Sequence, residues 1–328
     1  MSIDLSCKYM GLTLPSPLII GSCAFTNSVE KIKEMERLGA GAVVLKSIFE
    51  EQISNEAMRS TDEAGTYGGT MALDYVRQYT EMAAYEKYNQ LIRELKQTVH
   101  IPIIASIHCH HDGPWADYAQ RIQEAGADAL EINLTTLPTD YRLSGEELEK
   151  RYAGIIRHVK KNLRIPVAVK TNRYFTSFVY SMRQLRQAGA DALVMFQRMY
   201  EPDMDIEKMQ MTSAPILKEG DGFHETLRWT SIMNENIDCS LSATSGIVSG
   251  ADVVKLLLAG ADTVQIATVL YTRGLEQISV ILSELKEWML RHHYDRIDAF
   301  HGKMGMKDKA NADVYTRVQF MKHFAGIE

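Results

Sequence analysis

The chain has 328 residues, 45% of them apolar and 24% charged, a mix that excludes a disordered, fibrous or coiled-coil protein. With 36 Lys and Arg against 42 Asp and Glu, the net charge of −6 argues against nucleic acid as a main partner. No apolar run reaches membrane-spanning length, Asp4 and Lys8 break any export signal, and Cys7, Cys23, Cys109 and Cys239 form no CxxC pair, so a cytoplasmic, non-membrane protein is expected.

Ile3–Leu14 opens the chain with alternating apolar residues around Met10-Gly11, a pattern that predicts a short β-hairpin under the main fold. Eight buried-strand signals follow: Pro17–Ser22, Ala42–Ser47, Ile101–Ile107, Ala129–Leu134, Pro166–Thr171, Ala192–Gln197, Cys239–Ser245 and Thr263–Thr268. Helical periodicity lies between them. Ser28–Leu38 follows an Asn27…Glu30 start signal, Ser144–Leu163 opens on a Ser144…Glu147 capping box, and Gly274–Tyr294 is the last long helix. Glu50–Tyr79, after the second strand, is the longest excursion, and Lys307–Glu328 is a polar tail with helical character near Val314–Phe324.

LGAGAVVLKS, AGADALEINL, AGADALVMFQ and AGADTVQIAT lead into the second, fourth, sixth and eighth strands. Each is a helix-ending glycine, a small residue, then a strand. Four copies of one joint, with no Pro/Gly/Ser-rich linker, predict a single α/β domain over residues 1–328: a (β/α)8 TIM barrel with an N-terminal hairpin, an insertion after strand two and a helical tail.

Catalytic groups in such barrels stand at the C-terminal strand ends. Here these carry Gly21-Ser22, Lys46-Ser47, His108, Asn133, Lys170, Gln197, Ser245-Gly246 and Ala267-Thr268. A lysine at a barrel mouth needs an anionic partner, and two readings are open: a structural carboxylate, or a bound anionic ligand or electron-rich ring edge. Ser245-Gly246 and Ala267-Thr268 fall on the last two strands, where barrels hold phosphate, although a Ser-Gly pair also makes an ordinary turn.

These stretches resemble one known family. IDLSCKYMGLTLPSPLIIGSC, GAGAVVLKS, ALEINL, SGADVVKLLLAGADTVQIAT and IDAFHGK, in that order, are similar to segments of the FMN-dependent dihydroorotate dehydrogenases of the soluble class. The resemblance covers residues 3 to 303. It implies FMN as cofactor and a small-molecule substrate, with a homodimer as candidate assembly. Gly21 and Ser22 would lie against the isoalloxazine ring, with Ser47 beside them. Lys46 and Lys170 would meet the pyrimidine edge, where charge builds on reduction. Asn133 would hold flavin and substrate, while Ser245, Gly246, Ala267 and Thr268 would cradle the phosphate.

The chain also departs from that pattern. The family prefers Gly-Gly and Gly-Thr at the phosphate sites, so a positive φ would strain Ser245 or Ala267. Thr136 takes the position of the Cys or Ser base, and its hydroxyl would need a proton relay; it also reads as an ordinary loop threonine. Pro138 replaces an asparagine, and Phe196-Gln197-Arg198 replaces the Asn-Ser/Thr pair after strand six. Arg198 could hold a substrate carboxylate, or pair with Glu201 or Asp203. In His108-Cys109-His110-His111-Asp112, adjacent side chains diverge, so no metal centre is expected; His108 is a candidate substrate contact, with an ordinary loop histidine as the alternative. The expected activity is oxidation or reduction of a CH–CH bond beside a carbonyl, with dihydroorotate to orotate in pyrimidine biosynthesis as the named pair. A different carboxylated substrate and a non-catalytic flavin-binding relative stand as alternatives.

Overall fold

The computed structural model describes residues 3–49, 70–108 and 115–318. Cys7–Tyr9 (β1) and Leu12–Leu14 (β2) pair antiparallel across Met10 and Gly11, both at positive φ (52° and 81°), which forms the expected hairpin. The backbone N–H of Met10 donates to Ser240 Oγ at 3.1 Å, and Tyr9 is fully buried, so the hairpin closes the barrel floor.

The barrel strands are Leu18–Ile20 (β3), Ala42–Val44 continued by Ile48–Phe49 (β4 and β5), Ile103–His108 (β6), Ala129–Leu134 (β7), Val167–Thr171 (β8), Ala192–Met195 (β9), Ser240–Thr244 (β12) and Thr263–Ile266 (β13). All neighbours run parallel. Pairing of β13 with β3, and of β4 with β6, closes the ring. Apolar side chains fill the shell between strands and helices, where burying a large aliphatic residue stabilises by about 1.5–3 kcal/mol. Among the described residues no helix is long and apolar enough to cross a membrane.

The repeated joints show how the sequence builds the ring. Gly39, Gly126, Gly189 and Gly260 all sit at φ of 100–119°, the left-handed region that ends each helix. The aspartate of three copies then anchors the neighbouring strand: Asp128 accepts from the N–H of Ile103, Asp191 from that of Val167, and Asp262 from that of Leu241. In the first copy a glycine stands there instead. A Cβ on Gly41 would lie 1.9 Å from the Ser16 carbonyl oxygen, so only glycine fits.

Several boundaries differ from expectation. The helix cap is Ser28, whose hydroxyl accepts from the N–H of Lys31, and not Asn27. A 29-residue helix, Thr70–Thr98, begins inside the stretch read as an excursion to Tyr79, while residues 50–69 lie outside the described ones. The last long helix is Gln277–Arg291, shorter at both ends than Gly274–Tyr294, and a separate short helix, Thr268–Arg273, precedes it and ends at Gly274, at φ 83°. The tail helix is Lys309–Thr316, earlier than its apolar residues suggested, and residues 319–328 lie outside the described ones. The charged loop after strand six is an exposed hairpin, Pro202–Asp205 (β10) with Gln210–Ser213 (β11).

Candidate active site

At the C-terminal ends of the strands lies a cavity of about 250 Å³ lined by Ser22, Ser47, Glu131, Asn133, Lys170 and Gln197, and by residues 244–248 and 265–268. Alternation along each strand explains the set. In β7, Glu131 and Asn133 are two apart and share the inner face, and Asn133 is paired in register with Lys170 of β8. The cavity is continuous with an outer cleft of about 1040 Å³ through the shared Ser22, Arg198, Ala267 and Thr268.

Lys170 faces the interior. Its Nζ lies 3.5 Å from Glu131 Oε1 and donates to Gln265 Oε1 at 3.2 Å. The structural-carboxylate reading of this lysine is therefore realised by Glu131, while the cavity stays open beside it. Lys46 behaves differently: its side chain is exposed, and it is absent from the lining. Its neighbour Ser47 is part of a hydroxyl chain, with Ser22 Oγ 3.1 Å and the buried Ser106 Oγ 2.7 Å from Ser47 Oγ.

Asn133, His108 and Gln197 meet at a residue the sequence did not single out. Thr135 Oγ1 lies 2.9 Å from Asn133 Oδ1 and 3.1 Å from Gln197 Oε1, and the Thr135 carbonyl accepts from His108 Nε2 at 3.3 Å. Thr136 turns elsewhere, into a side pocket of about 200 Å³ shared with Tyr152 and Asn172. Residues 109–114, with the rest of the histidine run, lie outside the described ones.

Ser245 takes φ 88° and Gly246 φ 72°, so the strain anticipated for Ser245 is present; its hydroxyl donates to the Phe196 carbonyl at 3.0 Å. Ala267 escapes it with φ −146°. A Cβ on Gly246 would meet Asp221 O and Phe223 N, each at 2.7 Å, because residues 214–222 pass over this corner as a strap. Arg198 fastens the strap, donating to Ile216 O at 2.6 Å and lying 3.4 Å from an Asp221 carboxylate oxygen. Neither Glu201 nor Asp203 is its partner; Glu201 pairs with Lys218 at 3.2 Å. Glu219 binds Arg273 and Thr272, and those contacts hold its carboxyl below the usual range.

This arrangement can be set against known proteins. Residues 4–289 match the family model described as dihydroorotate dehydrogenase. The chain belongs to the dihydroorotate dehydrogenase family. Similar proteins include the dihydroorotate dehydrogenase B (NAD(+)) catalytic subunit of Methanocaldococcus jannaschii, 26% identical over 289 residues, 84% of this chain and 90% of that one. The chloroplastic dihydropyrimidine dehydrogenase (NADP(+)) of Arabidopsis thaliana is 23% identical over 91% of this chain and 76% of its own length. The NAD-dependent dihydropyrimidine dehydrogenase subunit PreA of Escherichia coli K12 is 24% identical with the same coverage. Two kinds of dehydrogenase thus flank the chain within and around the family.

Proposed function

We propose that this protein is an FMN-dependent oxidoreductase acting on a CH–CH bond beside a carbonyl in a small molecule, with dihydroorotate, oxidised to orotate in pyrimidine biosynthesis, as the named candidate. One observation carries the reading: a single cavity joins a half-buried lysine and side-chain amides at one end to unspent backbone donors at the other. The N–H groups of Gly246, Ile247 and Thr268 have no hydrogen-bond partner among the described residues, which suits a phosphate. Lys170, Asn133, Gln197 and Gln265 suit the polar edge of a flavin ring and a polar substrate.

Bound FMN would supply the hydride acceptor. The protein's own part is positioning. Lys170 presents the cation that favours charge on the reduced ring, Ser22 and Ser47 offer hydroxyls, and Asn133 and Gln197, tied through Thr135, present amides to the substrate. Proton removal is assigned to Thr136 in this reading, from the side pocket it shares with Tyr152, whose phenol oxygen accepts from the Thr136 backbone N–H at 3.2 Å; a pocket of about 350 Å³ that shares Gln197 with the main cavity and Asn172 with the side pocket links the two.

Arg198 supports a second reading of the substrate. Its guanidinium is occupied by the strap, leaving the carboxylate of dihydroorotate without that partner, so an uncharged dihydropyrimidine is the alternative. The test is a visible spectrum of the purified protein followed by anaerobic addition of dihydroorotate or dihydrouracil. Flavin absorption is expected, bleached by one of the two. A protein that shows no flavin spectrum even after FMN is added would sink the proposal.

A further inference from the structure

Glu131 is the only buried Asp or Glu among the described residues, and it lines the cavity from inside the barrel. A buried carboxylate is tolerated only when paired and hydrogen-bonded. Both requirements are met by two residues on different strands: Gln265 Nε2 donates to Glu131 Oε2 at 2.9 Å, and Lys170 Nζ lies 3.5 Å from Glu131 Oε1. The Gln265 carbonyl oxygen accepts from the same Lys170 ammonium at 3.2 Å. One amide therefore bridges both ions and fixes a flexible lysine at one place in the cavity.

We propose that Glu131 is a positioning residue for the flavin site, holding Lys170 through Gln265 and damping its charge, so that the ion pair sets the reduction potential of bound FMN. This rests on the FMN reading above. Reduction leaves negative charge on the ring, which a lone cation favours. A carboxylate within 4 Å of that cation cancels much of its field at the ring. The site then holds oxidised and reduced flavin more evenly than an isolated Lys170 would.

The experiment uses the full-length FMN-loaded protein. The midpoint potential is measured by dye equilibration, and sulfite affinity by titration, since sulfite adds to the oxidised ring and leaves it anionic. Glu131→Gln keeps the shape and removes the charge; it should bind sulfite about tenfold more tightly and raise the potential by the corresponding ~30 mV of a two-electron couple. Glu131→Asp keeps the charge and disturbs the packing more; it should stay near the parent. The double variant Glu131→Gln with Lys170→Met, which leaves no unpaired buried charge, should also return close to the parent. A Gln variant indistinguishable from the parent, an Asp variant that shifts as far as the Gln variant, or a double variant far below the parent would each overturn the proposal while leaving the FMN reading intact. A protein that takes up no FMN overturns both.

Discussion

The backbone N–H of Thr136 donates to the phenol oxygen of Tyr152 at 3.2 Å, which ties the loop after β7 to the helix Gly145–Lys160. Burial pushes the Tyr152 phenol up, while hydrogen bonds from the Thr136 side chain and backbone and the Arg151 charge pull it back. A phenol kept protonated can pass a hydrogen on as it receives one, and Glu149 lines the same side pocket. Tyr152→Phe should slow anaerobic flavin reduction by about a hundredfold, and Thr136→Ala at least as much, within the range of positioned acid–base groups. Neither residue lines the main cavity, so flavin content should hold. Unchanged reduction rates in both variants would clear the pair of this role.

Adjacent residues 245 and 246 invite opposite outcomes. Ser245 bears a side chain at φ 88°, a conformation costing a non-glycine residue about 1–2 kcal/mol, and its hydroxyl bond to the Phe196 carbonyl returns about 1 kcal/mol. Ser245→Gly should therefore change stability by less than about 1 kcal/mol, with a gain as the expected sign. Gly246→Ala adds the same backbone strain and drives a Cβ to 2.7 Å from Asp221 O of the strap and from Phe223 N at the start of the next helix. It should cost upwards of about 2 kcal/mol and loosen FMN. Urea unfolding midpoints of the two variants, measured side by side, check both signs.

Much of this was legible beforehand, and the misses share a cause. The four glycine joints and the apolar strand runs are local signals, and they identify eight strands in order. Lys170, Asn133, Ser245 and Gly246 could be named because strand ends are fixed once strands are found. Glu131, Gln265, Ser106 and Thr135 were passed over because each sits inside or just beyond a run that reads as apolar. Their signal was alternation: polar residues two apart, as in Glu131 and Asn133 or Ser106 and His108, mark the inner face of a barrel lined with chemistry. Lys46 shows the reverse limit, because a strand end does not say which way a side chain leaves it. The partner of Arg198, 23 residues away at Asp221, lay beyond any local pattern.

Thr135 has one hydroxyl hydrogen and two amide oxygens within reach, at Asn133 and Gln197. Thr135→Val keeps the volume and removes both contacts, leaving buried amide groups short of a partner, which costs about 1–3 kcal/mol. Lower stability in urea is expected together with a raised KM for whichever substrate bleaches the flavin, since both amides face the cavity. A variant with parental KM would show that the amides are held by other means.

The strap over residues 245–246 should respond to acid. Contacts with Arg273 first and Thr272 second depress the Glu219 carboxyl below its ordinary 4.5. A depressed carboxyl stabilises the closed strap at every pH above that ordinary value, and the contribution is lost as pH falls through the lowered one. FMN release after a pH jump should therefore accelerate below 4.5 in the parent. Glu219→Gln cannot ionise, so it should release FMN faster at neutral pH and show a flatter acid response. Because the pair is partly exposed, added salt should narrow the neutral-pH difference between the two proteins. Flavin fluorescence in a stopped-flow instrument reads both; superimposable acid profiles for parent and variant would remove Glu219 from the latch.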